Sequence, residues 1–180
     1  MNSAARLQFE VQPDSQPDTQ PHSQSDIVLD DLRTTADAEA FRRLNEEWIT
    51  RIFALEDEDR RQLEHPVETL VQPGGAVLVA RVGDEVVGCV GLAPARPGVV
   101  EVVKMVVSPQ CQGRGLGRRL LVAALERARE LGAHRVELES NRRLAPAVHL
   151  YQQLGFRHLS ADEHVPGPYV RADVAMALDL

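Results

Sequence analysis

The run CQGRGLG at residues 111–117 sets glycines between a β-branched stretch, VVEVVKMVV, and an amphipathic one, GRRLLVAALERARELG. A strand that feeds a helix through glycines gathers backbone N–H groups and the positive end of the helix dipole at one spot, and such a spot attracts phosphate. Arg114, Arg118, Arg119, Arg142 and Arg143 cluster around this bend and add local positive charge. Two familiar phosphate loops do not fit. A Walker loop ends in G-K-[ST], whereas this bend continues into Arg118–Arg119. A dinucleotide fingerprint starting at Gly113 needs glycine at position 118, where arginine stands, and should follow the first strand of a doubly wound sheet rather than a hairpin. What remains is the pattern Q-x-x-G-x-G, met by Gln112, Gly115 and Gly117.

Those residues need a scaffold, and the patterning predicts one. Ile27–Leu32 (IVLDDL) reads as a short first strand. Thr34 or Thr35 can cap a helix in which Ala38, Phe41, Leu44, Trp48 and Ile52 recur at helical spacing. A second helical stretch covers about Asp57–Val71 and is interrupted at His65–Pro66, where proline has no backbone donor. AVLVARVGDEVVGCVGLAP supplies two strands joined at Gly83–Asp84, a hairpin signal. Pro94–Gly98 turns the chain into the VVEVVKMVV strand. Beyond the long helix, HRVELE is a strand and LAPAVHLYQQL a short helix stopped by Gly155. Further strands are expected to begin at Phe156–Leu159 and over Val170–Leu180. The order is β-α-α-β-β-β-α-β-α-β-β. The strand–helix–strand unit around residues 99–139 must be a right-handed parallel crossover, so the sheet is mixed.

Composition narrows the partners. With 180 residues the chain is long enough for one domain with a real core. Its formal net charge of −7 argues against general nucleic-acid binding and suits a small-molecule or cationic substrate. Cys89 and Cys111 are too few for a disulfide scaffold, no signal-peptide pattern is visible, and no apolar run approaches the ~18–20 residues of a membrane helix, so a cytoplasmic protein without membrane partners is expected. The histidines show no H-x-x-H or H-E-x-x-H pairing, so no metal is expected. Residues 13–24 read PDSQ-PDTQ-PHSQ, a polar repeat that cannot enter a core, and residues 1–26 are expected to form a disordered tail before a domain at 27–180.

From about Ile27 to Leu180 the chain resembles the GCN5-related N-acetyltransferases (GNAT). QGRGLG is similar to the Q/R-x-x-G-x-G/A of that family, which cradles the pyrophosphate of coenzyme A, and LYQQLGF is similar to its Y-x-x-x-G-F. The resemblance implies an α+β (mixed α/β) fold: a mixed, mostly antiparallel sheet of six to seven strands flanked by helices, with acyl-CoA in a V-shaped split between the central strands. It implies acetyl-CoA as co-substrate. Gln112, Gly113, Arg114, Gly115, Leu116, Gly117 and Arg118 would hold the pyrophosphate, and Met105, Val106 and Val107 the pantetheine and acetyl arm in the manner of an added strand. Asn141 and Ala147 would be further cofactor contacts. Dimers are common in the family, and a homodimer is possible here, although no stretch specifies an interface.

Acetyl transfer to an amine requires a polarised carbonyl, an amine that loses a proton and a thiolate that gains one. By the resemblance, backbone N–H groups at Met105–Val107 polarise the carbonyl and Tyr151 is the acid. Glu101 is the candidate base, since it lies eleven residues before Gln112, the spacing that the resemblance gives for members using a strand glutamate. Strict alternation puts it on one face with Val103, Met105 and Val107, and burial there would raise its pKa. Glu137 and Glu139 are rivals, and a water chain can serve instead. Cys111 reads as structural. The acceptor would be a primary amine of a small molecule or amino acid, lying against Trp48, Phe53, an acidic patch (Glu46, Glu47, Glu56, Asp57, Glu58, Asp59) and Tyr169, Arg171 and Asp173. The acids can steer a polyamine, aminoglycoside or lysine, and Arg171 can instead clamp a carboxylate. A non-catalytic acyl-CoA sensor and a protein N-terminal or lysine acetyltransferase are the alternatives.

Overall fold

The computed structural model describes residues 27–180, so the expected tail at 1–26 lies outside the described residues. Seven strands form one sheet in the order β1-β2-β3-β4-β5-β7-β6. They are β1 (Ile27–Asp31), β2 (Ala76–Val82), β3 (Glu85–Arg96), β4 (Val99–Val107), β5 (Arg135–Ser140), β6 (Arg157–His158) and β7 (Val174–Asp179). The helices are α1 (Thr35–Thr50), α2 (Asp57–Glu64), α3 (Leu116–Glu130) and α4 (Ala145–Gln153). All pairings are antiparallel except β4 with β5, which is the expected crossover through α3.

Local chemistry explains most boundaries. Thr34 caps α1, its side chain accepting from the Asp37 N–H while the Asp37 carboxylate accepts from the Thr34 N–H. Pro66 ends α2, and the chain resumes as a single π-type turn, Val67–Val71. Gly83, in the left-handed region at φ 57°, makes the two-residue hairpin between β2 and β3. The last strand is shorter than the expected Val170–Leu180. The backbone N–H groups of Val170 and Arg171 are bonded to Glu56 at the start of α2, and the Asp173 carboxylate accepts from Arg142, so residues 170–173 are held by these side chains before the strand begins.

The sheet is packed on both sides. Leu116, Leu120, Leu121 and Ala124 of α3 bury one face with Val100, Val102, Val136 and Leu138. Phe41, Leu44 and Ile49 of α1, with Leu63 and Leu70, bury the other against Val79, Val103 and Val106. Each such leucine or phenylalanine contributes about 2 kcal/mol of apolar burial. Among the described residues, no helix is long and apolar enough to cross a membrane.

Two features of β4 set up everything functional. First, its ladder with β5 covers only Val99↔Arg135, Val100↔Val136 and Glu101↔Glu137. β4 runs on to Val107 and β5 to Ser140, so the two strands part after Glu101. Second, the register with β3 slips between Gly91↔Val103 and Cys89↔Val106, which inserts one extra residue into β4. Lys104 sits in that bulge at φ 50°, left-handed for a residue that is not glycine.

The bulge corrects one expectation. Strict alternation would keep Glu101, Val103, Met105 and Val107 on one face. Instead Val103 and Val106 pack with the α1 side, while Met105 and Val107 pack with the α3 side. An extra residue reverses the parity of everything after it.

Candidate active site

The gap between the parted strands is a cavity of about 100 Å³. Glu101, Lys104 and Met105 form its β4 wall, Glu139 and Asn141 its β5 wall, and Tyr151 of α4 lies on the same lining. Trp48, Phe53 and Tyr169 bound the end nearer α1.

Glu101 is where the sequence places a base, and its surroundings suit that role. Among the described residues it has no hydrogen-bonding or ion-pair partner. Burial, reinforced by the negative charge of Glu139 and partly offset by Lys104, pushes its carboxyl up to about 7. Its rivals are occupied. Glu137 accepts from Arg96 at 2.7 and 2.9 Å and from Arg135 at 2.8 Å. Burial opposes its charge, but these bonds hold it below the usual carboxylate range. Glu139 accepts at Oε1 from the Gly167 N–H at 2.7 Å and lies 2.9 Å from His164 Nε2, while its Oε2 is buried with no partner among the described residues.

Tyr151 is 9% exposed, its ring tilted against Phe156 with centroids 6.0 Å apart. Burial alone pushes the phenol up to about 12, so the proton stays on oxygen near neutral pH. Its hydroxyl has no hydrogen bond among the described residues, which leaves it able to donate to a group entering the cavity.

The glycine bend folds as expected. Gly113 (φ 72°) and Gly115 (φ 76°) are left-handed, and Gly115 is the N-cap of α3 with no side chain bonding the exposed amides. The helical ladder of α3 starts from Gly115, whose carbonyl accepts from the Arg119 N–H at 3.1 Å, so the amides before Arg119 have no acceptor within the helix. A Cβ on Gly117 would stand 3.5 Å from Met105 Cε and 3.6 Å from Leu150 Cδ2, so the bend, the strand and α4 converge there. Gln112 reaches back, its Nε2 donating to the Val107 carbonyl at 2.9 Å. Cys111 is buried in the core under the bend.

The opposite end of the cavity is a network that the sequence hid. Asp59, fully buried on α2, takes two bonds from Arg171 at 2.6 and 2.7 Å and lies 3.0 Å from Lys104 Nζ. Burial opposes its charge, but Arg171 and Lys104 hold its carboxyl below the usual range. Lys104 Nζ donates to the Tyr169 hydroxyl at 2.6 Å, which lies 3.4 Å from Gln62 Oε1. Arg171 also bonds Glu56 at 2.9 Å and stacks over Phe53 and Tyr169. Asp59 and Arg171 are therefore not a solvated acidic patch beside a free carboxylate clamp; they neutralise each other. Asn141 is likewise committed, its Nδ2 donating to the Arg171 carbonyl at 2.6 Å and its Oδ1 accepting from the Arg143 N–H. Ala147 packs on the α3-side core. Lys104 was not singled out, yet a signal was present: one lysine in a strand whose other charged residue is Glu101, three positions earlier.

A mixed sheet with parted central strands, a helix N-terminus without a side-chain cap and a half-buried carboxylate in the wall of the gap define an α+β domain with a cleft opening in the middle of its sheet. The sequence model of the acetyltransferase (GNAT) family matches residues 38–156, and the chain belongs to that family. An uncharacterized N-acetyltransferase of Escherichia coli strain K12, YjgM, is 38% identical over 100 residues, which is 54% of this chain and 60% of that relative. The chain thus spans less than two thirds of that relative's length. A GNAT-family acetyltransferase structure from Staphylococcus aureus superposes with a TM-score of 0.77 at 16% identity, covering 85% of this chain and 98% of that one. A Bacillus subtilis acetyltransferase in complex with CoA gives 0.57 at 25% identity, covering 86% and 97%.

Proposed function

We propose that this chain is an acetyl-CoA-dependent N-acetyltransferase that acetylates a primary amine of a small molecule or amino acid by direct attack. The observation that carries the reading is Glu101: a half-buried carboxylate with no partner among the described residues, raised to about 7 in the wall of a gap between parted strands.

The residues present fit coenzyme A. Amides without a helical acceptor at the start of α3 and the left-handed glycines suit a pyrophosphate at Gln112, Gly113, Arg114, Gly115, Leu116, Gly117 and Arg118. The edge of β4 beyond Glu101, left unpaired by β5, suits an extended amide-bearing arm along Met105, Val106 and Val107. That a 25% identical neighbour was solved in complex with CoA supports coenzyme A as the ligand. When bound, acetyl-CoA supplies the acetyl thioester.

The chain's own groups then divide the work. Backbone N–H groups of Met105–Val107 donate to the developing oxyanion. Glu101 accepts the proton of the attacking amine, directly or through one water. Tyr151 donates its hydroxyl proton to the departing sulfur. Asn141 and Ala147 are proposed to border the same arm, Asn141 through the backbone segment it anchors. With its two cysteines unbridged, the chain is assigned to the cytoplasm.

The test is thiol release from acetyl-CoA across a panel of amines, amino acids, polyamines and aminoglycosides. At least one acceptor should give turnover that Glu101→Gln lowers by about 100-fold or more. Tight acetyl-CoA binding in calorimetry with no release across the panel would make the chain a sensor instead.

A further inference from the structure

We infer that Lys104 is a positioning residue: its buried ammonium pins the β4 bulge to α2 and holds Glu101 in the charge environment that makes it a base. The inference rests on the acetyltransferase reading for its catalytic meaning, but its physical content does not.

The geometry comes first. Without the extra residue, position 104 would point to the α3 side, into the cluster of Leu116, Leu120 and Leu121, where a lysine charge has no partner. The bulge turns it to the side of Glu101 and Val103. There Nζ lies 3.0 Å from Asp59 Oδ1 and donates to the Tyr169 hydroxyl at 2.6 Å, with the side chain 5% exposed. A left-handed φ of 50° at a residue with a Cβ costs about 1 kcal/mol or more. The buried ion pair offsets that cost, and the bulge and the pair each require the other. The same parity change sends Met105 and Val107 to the α3 side while Val106 stays with α1. Lys104 therefore decides which face each residue of the proposed acetyl-binding segment presents.

The charge argument follows from the same placement. Glu101 feels the charges of Glu137 and Glu139 from β5 and of Glu58 from α2, while Asp59 of α2 faces Lys104. From the loop before β7 come Tyr169, Arg171 and, through Glu139, His164. Tyr151 of α4 and the neutral Asn45 and Trp48 of α1 complete the lining. Arg171 is spent on Asp59 and Glu56. Lys104 is the cation on Glu101's own strand, and it opposes the upward push of burial and of Glu139.

The experiment follows the Glu101 carboxyl by NMR on carboxyl-labelled protein, assigned by the signal missing in Glu101→Gln. It needs no substrate. In the unaltered chain the midpoint should lie near 7. Lys104→Met should raise it by about one pH unit, and Glu139→Gln should lower it. Because Lys104→Met removes one of the two cations on Asp59, the double variant Asp59→Asn/Lys104→Met, in which Arg171 keeps Glu56, is measured too and should also titrate above the unaltered chain. A midpoint that stays or falls in both Lys104 variants, with the fold intact by circular dichroism, overturns the inference. If these midpoints move as stated while no amine is acetylated, the acetyltransferase reading fails and the role of Lys104 stands. If turnover is found and the midpoints do not move, the reverse holds.

Discussion

The two ends of the split are built on different principles. At the α3 end the functional groups are backbone amides, set by left-handed glycines and a helix start within one short segment, residues 112–117. At the α2 end they are charged side chains brought together from afar: Asp59 and Arg171 are 112 positions apart, Lys104 and Tyr169 are 65 apart. A site for an invariant diphosphate can be made locally, because any strand-to-helix turn with the right glycines presents its amides. The charged network at the α2 end depends on packing α1, α2 and the segment before β7 against one another. The first end should tolerate change elsewhere in the molecule; the second should fail as a unit.

The largest effect should come from breaking the second end. Asp59→Ala leaves Lys104 and Arg171 without their buried partner and should cost on the order of 3–5 kcal/mol, lowering Tm by about 10 °C or more. Calorimetric melting would show it, and coenzyme A affinity at low temperature should change little, since the α3 end stands apart.

Glu101→Gln should lower kcat/KM by about 100-fold or more while leaving coenzyme A binding intact. In the unaltered chain kcat/KM should fall as pH drops through about 7, because the base is then protonated, and the variant should lose this limb. The same substitution has an opposite sign for stability. Between the ordinary value of 4.5 and about 7 the folded state binds a proton that the unfolded chain does not, so stability falls as pH rises through that window. Glu101→Gln should therefore melt higher at pH 8, by at most about 3 kcal/mol, with the gain vanishing below pH 4.5.

Tyr151→Phe should lower kcat by roughly 10-fold with KM for acetyl-CoA nearly unchanged. Equal rates across pH would remove Tyr151 from the chemistry. The smallest effect is the cleanest probe of the first end. Gly117 has an ordinary φ and room for a Cβ at van der Waals distance, so Gly117→Ala should shift stability by no more than about 0.5 kcal/mol. It should nonetheless weaken coenzyme A several-fold in calorimetry by filling the approach beside Met105 and Leu150.

What was legible in the sequence is what short-range physics controls. The Thr34 cap, the stop at Pro66, the Gly83 hairpin, the parallel crossover and the glycine bend each follow from neighbouring residues, and each is where the patterning put it. Glu101 does lie on the strand, half-buried in the wall of the gap, but without Met105 and Val107, two of the neighbours that alternation gave it. Alternation cannot register an added residue, so the slip at Lys104 and the reversed faces of Met105 and Val107 had no local sign.

The tertiary structure alone decided the parting of β4 from β5 after Glu101, and the pairing of Asp59 with Lys104 and Arg171. Nothing in a run of acids such as EDEDR distinguishes the one aspartate that will be buried from the neighbours that stay in water. That choice is made by which face of α2 meets the bulged strand, and a charge finds its partner only after both are out of solvent.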